Sequence, residues 1–181
     1  MTKTNINTYN PSSQDNFFFD TNIWIFLFCS IGNHKSYKQK VYSGFFSRVR
    51  ERNASIFINS LVLSEFCNVW LRIEFDTWRK QPTNVGKTNF KKDFVRTPTY
   101  NETVEDIKYA MKQILAVTLK CSDEFNSINF DSVVNQFGKA DFNDAYYSIL
   151  AEKKGWKIVT DDGDFDKLSI SALTIITDNL N

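Results

Sequence analysis

Two carboxylates of the chain stand alone in apolar stretches. Asp20 lies between FFF and TNIWIFLF, and Glu65 lies within SLVLSEFCNVWL, each as the single acid of its stretch. An unpaired ionised carboxylate in an apolar setting costs several kcal/mol, or its pKa rises until it binds a proton. A compensating partner is therefore expected near both. From these residues alone, a helix cap at Asp20 and a solvent-facing Glu65 remain open as alternatives.

Two further segments carry acids, at a helix start and at a turn. ADFNDAYYSILA contains Asp141 and Asp144, and TDDGDF covers residues 160–165. Asp141 is interpreted as a helix cap, whereas Asp144 lies one turn further in and could project into the pocket of the other acids. Converging carboxylates repel one another unless hard cations neutralise them. Oxygen-only ligation with open water positions suits Mg²⁺ or Mn²⁺.

The elements that position these acids alternate between strand and helix. Apolar runs bounded by turn residues predict strands at 17–19, 55–58, 128–130, 156–160 and 173–177. Amphipathic spacing and capping residues predict helices at 22–30, closed at Gly32, and at 36–52, 60–79, 102–120, 132–137 and 141–154. This alternation predicts an α/β fold, a three-layer α/β/α sandwich around a central, mainly parallel sheet. Ligand sites in such sheets lie at the carboxyl ends of the strands, where Asp20 and TDDGDF are expected.

Length and composition bound the organisation of the chain. Its 181 residues suit one domain, predicted over residues 17–181, behind a polar, disordered tail at 1–16. Residues 80–99 are polar and basic and are predicted to be a loop or insertion. No secretory signal is recognised, and the longest apolar run is too short to span a bilayer, so the protein is expected to be cytoplasmic. The three widely spaced Cys predict neither a disulfide framework nor a metal site.

Several segments, in this order, resemble the PIN domain family of nucleases, which includes the toxin ribonucleases of bacterial toxin–antitoxin pairs. FFFDTNIWI is similar to the family's hydrophobic strand with D-T-N at its end, and LVLSEF is similar to its helix with a single Glu. ADFNDAYYSILAEKKGWKIVTDDGDF is similar to the run in which an Asp opens a helix, a strand follows and T-x-D-x-D-F closes it. The basic segment at 80–99 and the tail at 1–16 depart from compact members of the family.

The resemblance implies an activity and a set of site residues. It implies hydrolysis of RNA phosphodiester bonds with one or two divalent ions, Mg²⁺ or Mn²⁺. The matching acidic quartet is Asp20, Glu65, Asp144 and Asp162. Asp164 is implied near the metal. The implied supporting polar contacts are Thr21, Asn22 and Thr160.

The roles and partners follow from the same resemblance. Asp20 is expected as the central metal ligand, Asp144 and Asp162 as further ligands, and Glu65 as a ligand or a water-orienting base. RNA is the implied substrate. An antitoxin protein that blocks the pocket and a second copy of the chain are hypothetical partners that the residues themselves do not specify.

Other functional classes fit the residues less well. A phosphorylation-switch receiver domain needs paired acids after the first strand, and Asp20 stands alone there. A PIN-like module that only binds RNA or protein would predict loss of an acid, yet all four positions are acidic. The single His34 excludes ribonuclease chemistry that uses two His. No G-x-G-x-x-G follows any predicted strand, which excludes dinucleotide binding.

The basic and aromatic residues of the sequence allow two interpretations. Basic residues of the 36–52 helix and of the 80–99 segment could meet the RNA backbone, and three aromatic residues, Trp24, Trp78 and Tyr100, could stack on bases. Because the net charge is only +1, a solvated basic face and aromatic residues in the core are the preferred interpretation.

Overall fold

The computed structural model describes residues 1–29 and 36–180 and contains one six-stranded sheet. Every strand pair in this sheet is parallel. The spatial order of the strands is β1-β6-β5-β2-β3-β4. The strands are β1 (Thr2–Asn5), β2 (Asn16–Phe19), β3 (Ser55–Ile58), β4 (Leu119–Lys120), β5 (Lys157–Val159) and β6 (Thr174–Thr177).

The helices confirm most of the sequence-based expectations. They are α1 (Thr21–Phe28), α2 (Ser36–Glu51), α3 (Ser60–Trp78), α4 (Pro98–Ala116), α5 (Phe130–Gln136) and α6 (Phe142–Lys154). The predicted ends move by a few residues, because capping side chains decide them: Thr97 caps α4 and starts it earlier than predicted. Gly155 ends α6 in a left-handed conformation, with φ 67°. The predicted stop at Gly32 lies outside the described residues.

The three-layer α/β/α sandwich is confirmed by the contacts of β2, whose residues are buried on both faces of the sheet. On one face Phe17 packs edge-to-face against Phe45 of α2, with ring centroids 5.6 Å apart. On the other face Phe18 packs against Tyr147 of α6 at 5.1 Å. A strand covered by helices on both sides is apolar at consecutive positions, which explains the FFF run.

The strand order reverses between β2 and β5. From β2 the chain moves outward to β3 and β4, then returns to β5 on the other side of β2. Neighbouring loops leave the sheet in opposite directions at such a point, so a crevice opens there. Asp20 directly follows β2, and Thr160 directly follows β5.

Two sequence-based expectations need correction. Residues 1–16 were expected to be a disordered tail, but Thr2–Asn5 is the edge strand β1, in parallel register with Thr174–Thr177, and Ile6 behind it is fully buried. The strand expected at 128–130 does not form, because α5 begins at Phe130. The strand that pairs with β3 on this side is instead Leu119–Lys120. Both strands depend on distant partners, which local residue patterns do not show.

The segment 80–99 is ordered by short turns and by aromatic packing. It contains a 3₁₀ turn at Pro82–Asn84 and a π-helical turn at Phe90–Phe94. Trp78 is buried in the cluster that this segment covers, and Trp24 is fully buried in the main core. Neither tryptophan is therefore accessible to a base. Among the described residues, no helix is long and apolar enough to cross a membrane.

Candidate active site

Asp20 is held at the end of β2 by three hydrogen bonds. The backbone amide of Thr21 donates to Oδ1 at 2.6 Å, which makes Asp20 the cap of α1. The Asn22 amide group and the Thr160 hydroxyl donate to Oδ2 at 2.5 and 2.7 Å. The capping role and a place in a polar site therefore occur together at this residue. Because every donor is neutral, the negative charge is oriented without being cancelled.

The same contacts tie together the two strands at the crevice. Asn22 also donates to the Thr160 hydroxyl at 3.1 Å, and the Thr160 hydroxyl accepts from the backbone amide of Asp162 at 3.0 Å. The structure thus shows the contacts expected for Asn22 and Thr160. They fix the turn after β5 relative to the end of β2, so Asp162 is held beside Asp20.

Glu65 projects from the second turn of α3 into the same region. Its Oε2 accepts hydrogen bonds from the hydroxyl of Thr21, the amide group of Asn143 and the hydroxyl of Tyr147, at 3.0, 3.0 and 3.2 Å. The contact expected for Thr21 is therefore present. All three bonds end on Oε2, and Oε1 has no hydrogen-bond donor among the described residues. Glu65 is half-buried rather than solvent-facing.

The four acids of the quartet line one cavity of about 250 Å³. We call it the carboxylate cavity; its walls are formed by Asp20, Thr21, Asn22, Ile25, Phe26, Glu65, Val69, Asp141, Asp144 and Asp162. Four separate elements supply the quartet: the end of β2, α3, the first turn of α6 and the turn after β5. Local sequence cannot bring these segments together. The sheet order does so, because β2 and β5 are neighbours.

Burial and crowding raise the pKa of two of these acids. The pKa of Asp144 rises from 3.8 to about 9, first because the side chain is buried and then because Asp20 and Asp141 lie close to it. The pKa of Asp20 rises to about 7, again mainly through burial, with the charge of Glu65 adding to it and the hydrogen bond from Thr160 opposing it. Desolvated, crowded carboxylates of this kind are typical of functional sites.

The donors of the carboxylate cavity fit a hard divalent cation by their chemistry. They are oxygens from carboxylates, with amide and hydroxyl groups behind them, which is the ligand type that Mg²⁺ and Mn²⁺ prefer. Buried carboxylates with raised pKa values would gain a compensating charge from such an ion. Within residues 1–29 and 36–180, no three His, Cys, Asp or Glu side chains approach closely enough to ligate one ion as they stand. The carboxylate cavity therefore fits such an ion by the chemistry of its oxygen donors and by its position in the fold.

Two acids of the TDDGDF turn lie outside the carboxylate cavity. Asp164, expected near the metal, accepts a hydrogen bond from Lys167 at 2.6 Å and does not line the cavity. Asp161 forms an ion pair with Lys38 of α2 at 2.7 Å and accepts a hydrogen bond from Tyr42. Their side chains leave the turn in other directions than Asp162. His34 lies outside the described residues.

Three residues at the site were not predicted from the sequence to belong to it. Asp141 caps α6, as interpreted, but it also lines the carboxylate cavity. Asn143 and Tyr147 orient Glu65, and they are four residues apart, on one face of α6. That spacing beside Asp144 was the available signal. It is a weak one, because aromatic residues on helices usually pack in the core.

Comparisons with known proteins agree with this architecture. The family model described as PIN domain matches residues 17–170. Among solved structures, the crystal structure of VapBC2 from Rickettsia felis bound to a DNA fragment from their promoter is similar, with a TM-score of 0.51 and 14% sequence identity. The similarity covers 90% of this chain and 98% of that chain. At such identity it concerns the fold. No curated protein sequence matches the chain.

Proposed function

Because the chain belongs to the PIN domain family, we propose that it is a metal-dependent endoribonuclease that hydrolyses RNA phosphodiester bonds in the carboxylate cavity. The observation that supports this most is the meeting of Asp20, Glu65, Asp144 and Asp162 in one cavity at the point where the strand order reverses. Two of these acids are buried and have raised pKa values. A fold that needed these acids only for stability would gain nothing from crowding them.

The residues have separable roles in this proposal. Asp20, Asp144 and Asp162 would hold Mg²⁺ or Mn²⁺, and a bound ion would lower the pKa of a coordinated water and offset charge on the phosphate. Glu65 is held through Oε2 by three donors, so Oε1 remains to accept a proton from an attacking water. Asp20 keeps its orientation through Asn22 and Thr160, which leaves it little freedom to turn away.

An antitoxin protein is the proposed partner at this site. The support is the family membership and the fold similarity to VapBC2, which was crystallised on promoter DNA. A partner that inserts a basic or polar segment into the carboxylate cavity would neutralise its crowded acids and exclude RNA. If a pull-down with the tagged protein recovers no inhibitory partner encoded by a neighbouring gene, the antitoxin proposal is wrong.

A second copy of the chain is also proposed as a partner, through an aromatic patch formed by α5, residues that flank it and the start of α6. Its members are Phe125, Phe130, Val134, Phe137 and Phe142, with exposed fractions of 64%, 43%, 55%, 60% and 40%. The four phenylalanine rings contact one another in the order Phe125, Phe130, Phe142 and Phe137. Such exposure leaves roughly 400 Å² of apolar surface uncovered, about half of what one partner of a standard interface buries.

The rim of this aromatic patch carries both signs of charge, from Asp131 and from Lys139, so it can pair with itself across a twofold axis. The test is the molar mass in solution by light scattering. Phe137→Ser is expected to dissociate a dimer, whereas Tyr37→Ser, at an equally exposed site on α2, is expected to leave it intact. A monomeric wild-type protein at all concentrations contradicts the dimer.

The nuclease proposal is tested by cleavage of a pool of single-stranded and structured RNA by the purified protein with Mg²⁺, Mn²⁺ or EDTA. Asp20→Asn is compared with wild type and with Asp106→Asn, an exposed acid of α4 outside the cavity. Cleavage that needs the metal, disappears in Asp20→Asn and persists in Asp106→Asn supports the proposal. Absence of cleavage with every metal, while RNA or a protein still binds, would favour an inactive binding module.

A further inference from the structure

The hairpin between α3 and α4 concentrates positive charge at one end of the molecule. We call residues 72–100 the basic arm. It holds seven basic and three acidic residues, a formal charge of +4, whereas the other residues of the chain together carry −3. The near-zero net charge of the whole protein therefore hides a strong asymmetry. A local positive potential attracts polyanions even when the total charge is small.

The basic arm is a folded unit with its own small core. Phe75 and Trp78 at the end of α3 pack against Phe94 of the π-helical turn, with ring centroids 5.5 and 5.3 Å from it. Phe90 and Tyr100 cover this cluster. Asn84 is buried and donates to the Trp78 carbonyl at 3.0 Å, which closes the loop. The charges of the arm are thus carried on a defined surface.

Some of the cations are oriented by the rings of this core. The Arg72 guanidinium lies 4.1 Å from the centroid of Phe90, and the Lys87 ammonium lies 5.0 Å from the centroid of Trp78. Cation–π contacts of this kind hold a side chain in place and leave its charge available to a second, stronger partner. These oriented side chains therefore lose less conformational entropy when they bind an anion than unrestrained lysine side chains would.

Other cations of the arm are not paired with an acid among the residues that the structure describes. Lys80, Lys91, Lys92 and Arg96 are exposed, and no carboxylate in the described part of the chain lies within ion-pair distance of them. The nearby acid Asp93 is occupied, because it accepts a hydrogen bond from the Asn89 backbone amide at 2.8 Å. Several exposed cations without an acid partner on one folded segment can contact the phosphates of a nucleic acid backbone.

We propose that the basic arm binds the phosphate backbone of a polynucleotide at a distance from the carboxylate cavity. The proposal rests on the proposed nuclease function for the identity of the ligand. The arm's aromatic rings are used internally, so binding is electrostatic and independent of sequence. RNA and DNA share this backbone chemistry and bind equally well at the arm.

The geometry of α3 sets the length of polynucleotide that reaches both places. Glu65 and Trp78 lie on this helix 13 residues apart, which corresponds to about 20 Å at the rise of an α-helix. A stacked strand advances about 3.4 Å per nucleotide, so about six nucleotides separate the carboxylate cavity from the arm. An oligonucleotide of four residues therefore occupies one place only, and one of twenty residues spans both.

The experiment measures binding by fluorescence anisotropy in an Asp20→Asn background, so that cleavage is not needed. The arm variant is Lys91→Gln with Lys92→Gln. The matched control is Lys112→Gln with Lys120→Gln, which removes the same charge from exposed sites on α4 and β4. Each protein is titrated with 20-residue and 4-residue RNA and DNA over a range of NaCl concentrations.

For the 20-residue strands, the arm variant is expected to bind about tenfold more weakly, and its salt slope is expected to fall by about 1.4, since each single-strand phosphate contact contributes about 0.7. The control variant keeps the wild-type slope, and the 4-residue strands, which reach one place only, bind more weakly than the 20-residue strands to the protein without arm substitutions. An arm variant that behaves like its control overturns the proposal, and so does a loss confined to RNA. If wild type cleaves nothing but the slope still falls, only the nuclease proposal fails.

Discussion

Asp144→Asn is expected to make the metal-free protein more stable at neutral pH. In the folded state the pKa of Asp144 is raised from 3.8 to about 9, through burial and through the carboxylates of Asp20 and Asp141. Between these two pH values the folded state binds a proton that the unfolded state has lost. The free energy of unfolding therefore falls as the pH rises through this window, and the substitution removes that loss.

The magnitude follows from the shift and from what opposes it. One group changes the free energy of unfolding by about 1.4 kcal/mol per pH unit within the window. For an isolated site, raising the pH from 4 to 7.5 would therefore lower the free energy of unfolding by almost 5 kcal/mol, at about 1.4 kcal/mol per unit. Asp20 and Asp144 titrate as a pair, and the cavity is open to water, which reduces this cost. The carboxylate also gains up to about 1 kcal/mol at the start of α6. We expect a net gain of about 2 kcal/mol, a rise in Tm of roughly 4–8 °C for a chain of this size.

The assay is thermal unfolding of wild type, Asp144→Asn and the exposed control Asp106→Asn in the middle of α4, from pH 5 to 8.5 in EDTA and again with Mg²⁺ or Mn²⁺. In EDTA the wild-type Tm falls towards high pH, and the Asp144→Asn curve is flatter and lies above it at pH 7.5. With the ion, wild type gains stability by mass action and the variant gains less. A variant that is no more stable than wild type at pH 7.5 in EDTA refutes the reasoning.

Three further predictions concern cleavage. Tyr147→Phe removes one of the donors that orient Glu65. Single-turnover assays are expected to show a kcat lowered by about tenfold, which is the effect of one hydrogen bond to a charged group. An unchanged kcat shows that Glu65 does not need this hydrogen bond. Thr160→Val removes a hydrogen bond that lowers the pKa of Asp20. The pKa of Asp20 is therefore expected to rise above 7, and the acidic limb of the pH–rate profile is expected to move to higher pH. If the acidic limb does not move, it belongs to the titration of another group. Asp164→Asn is expected to retain the cleavage rate of wild type within about threefold, because this acid pairs with Lys167 outside the carboxylate cavity. A large loss of cleavage in this variant would show that Asp164 takes part in the site.

The sequence by itself was sufficient for features that depend on neighbouring residues. The apolar run FFF predicts a strand buried on both faces, and its lone acid is visible because nothing near it in sequence is charged. Asp141 was interpreted as a helix cap from its position, and it caps α6 in the structure. These signals are local, so a single chain carries them without knowledge of the fold.

Side-chain direction in the turn after β5 was decided only by the tertiary structure. TDDGDF offers three acids of similar character, and the family resemblance pointed to Asp162 and Asp164. Asp162 enters the carboxylate cavity, because its backbone amide is held by Thr160, while Asp164 turns towards Lys167. The sequence spacing cannot distinguish them, since a turn changes direction at each residue.

Long-range pairing was likewise decided by the tertiary structure. The polar N-terminus has no local pattern that predicts a strand, yet Thr2 pairs with Thr174 at the opposite end of the chain. The carboxylate cavity depends on the same kind of pairing, because β2 and β5 are neighbours in the sheet although β3 and β4 lie between them in the sequence. Local residue types determined which carboxylates would be costly to bury. The order of the strands determined which of them meet, because only that order places distant segments at one edge of the sheet.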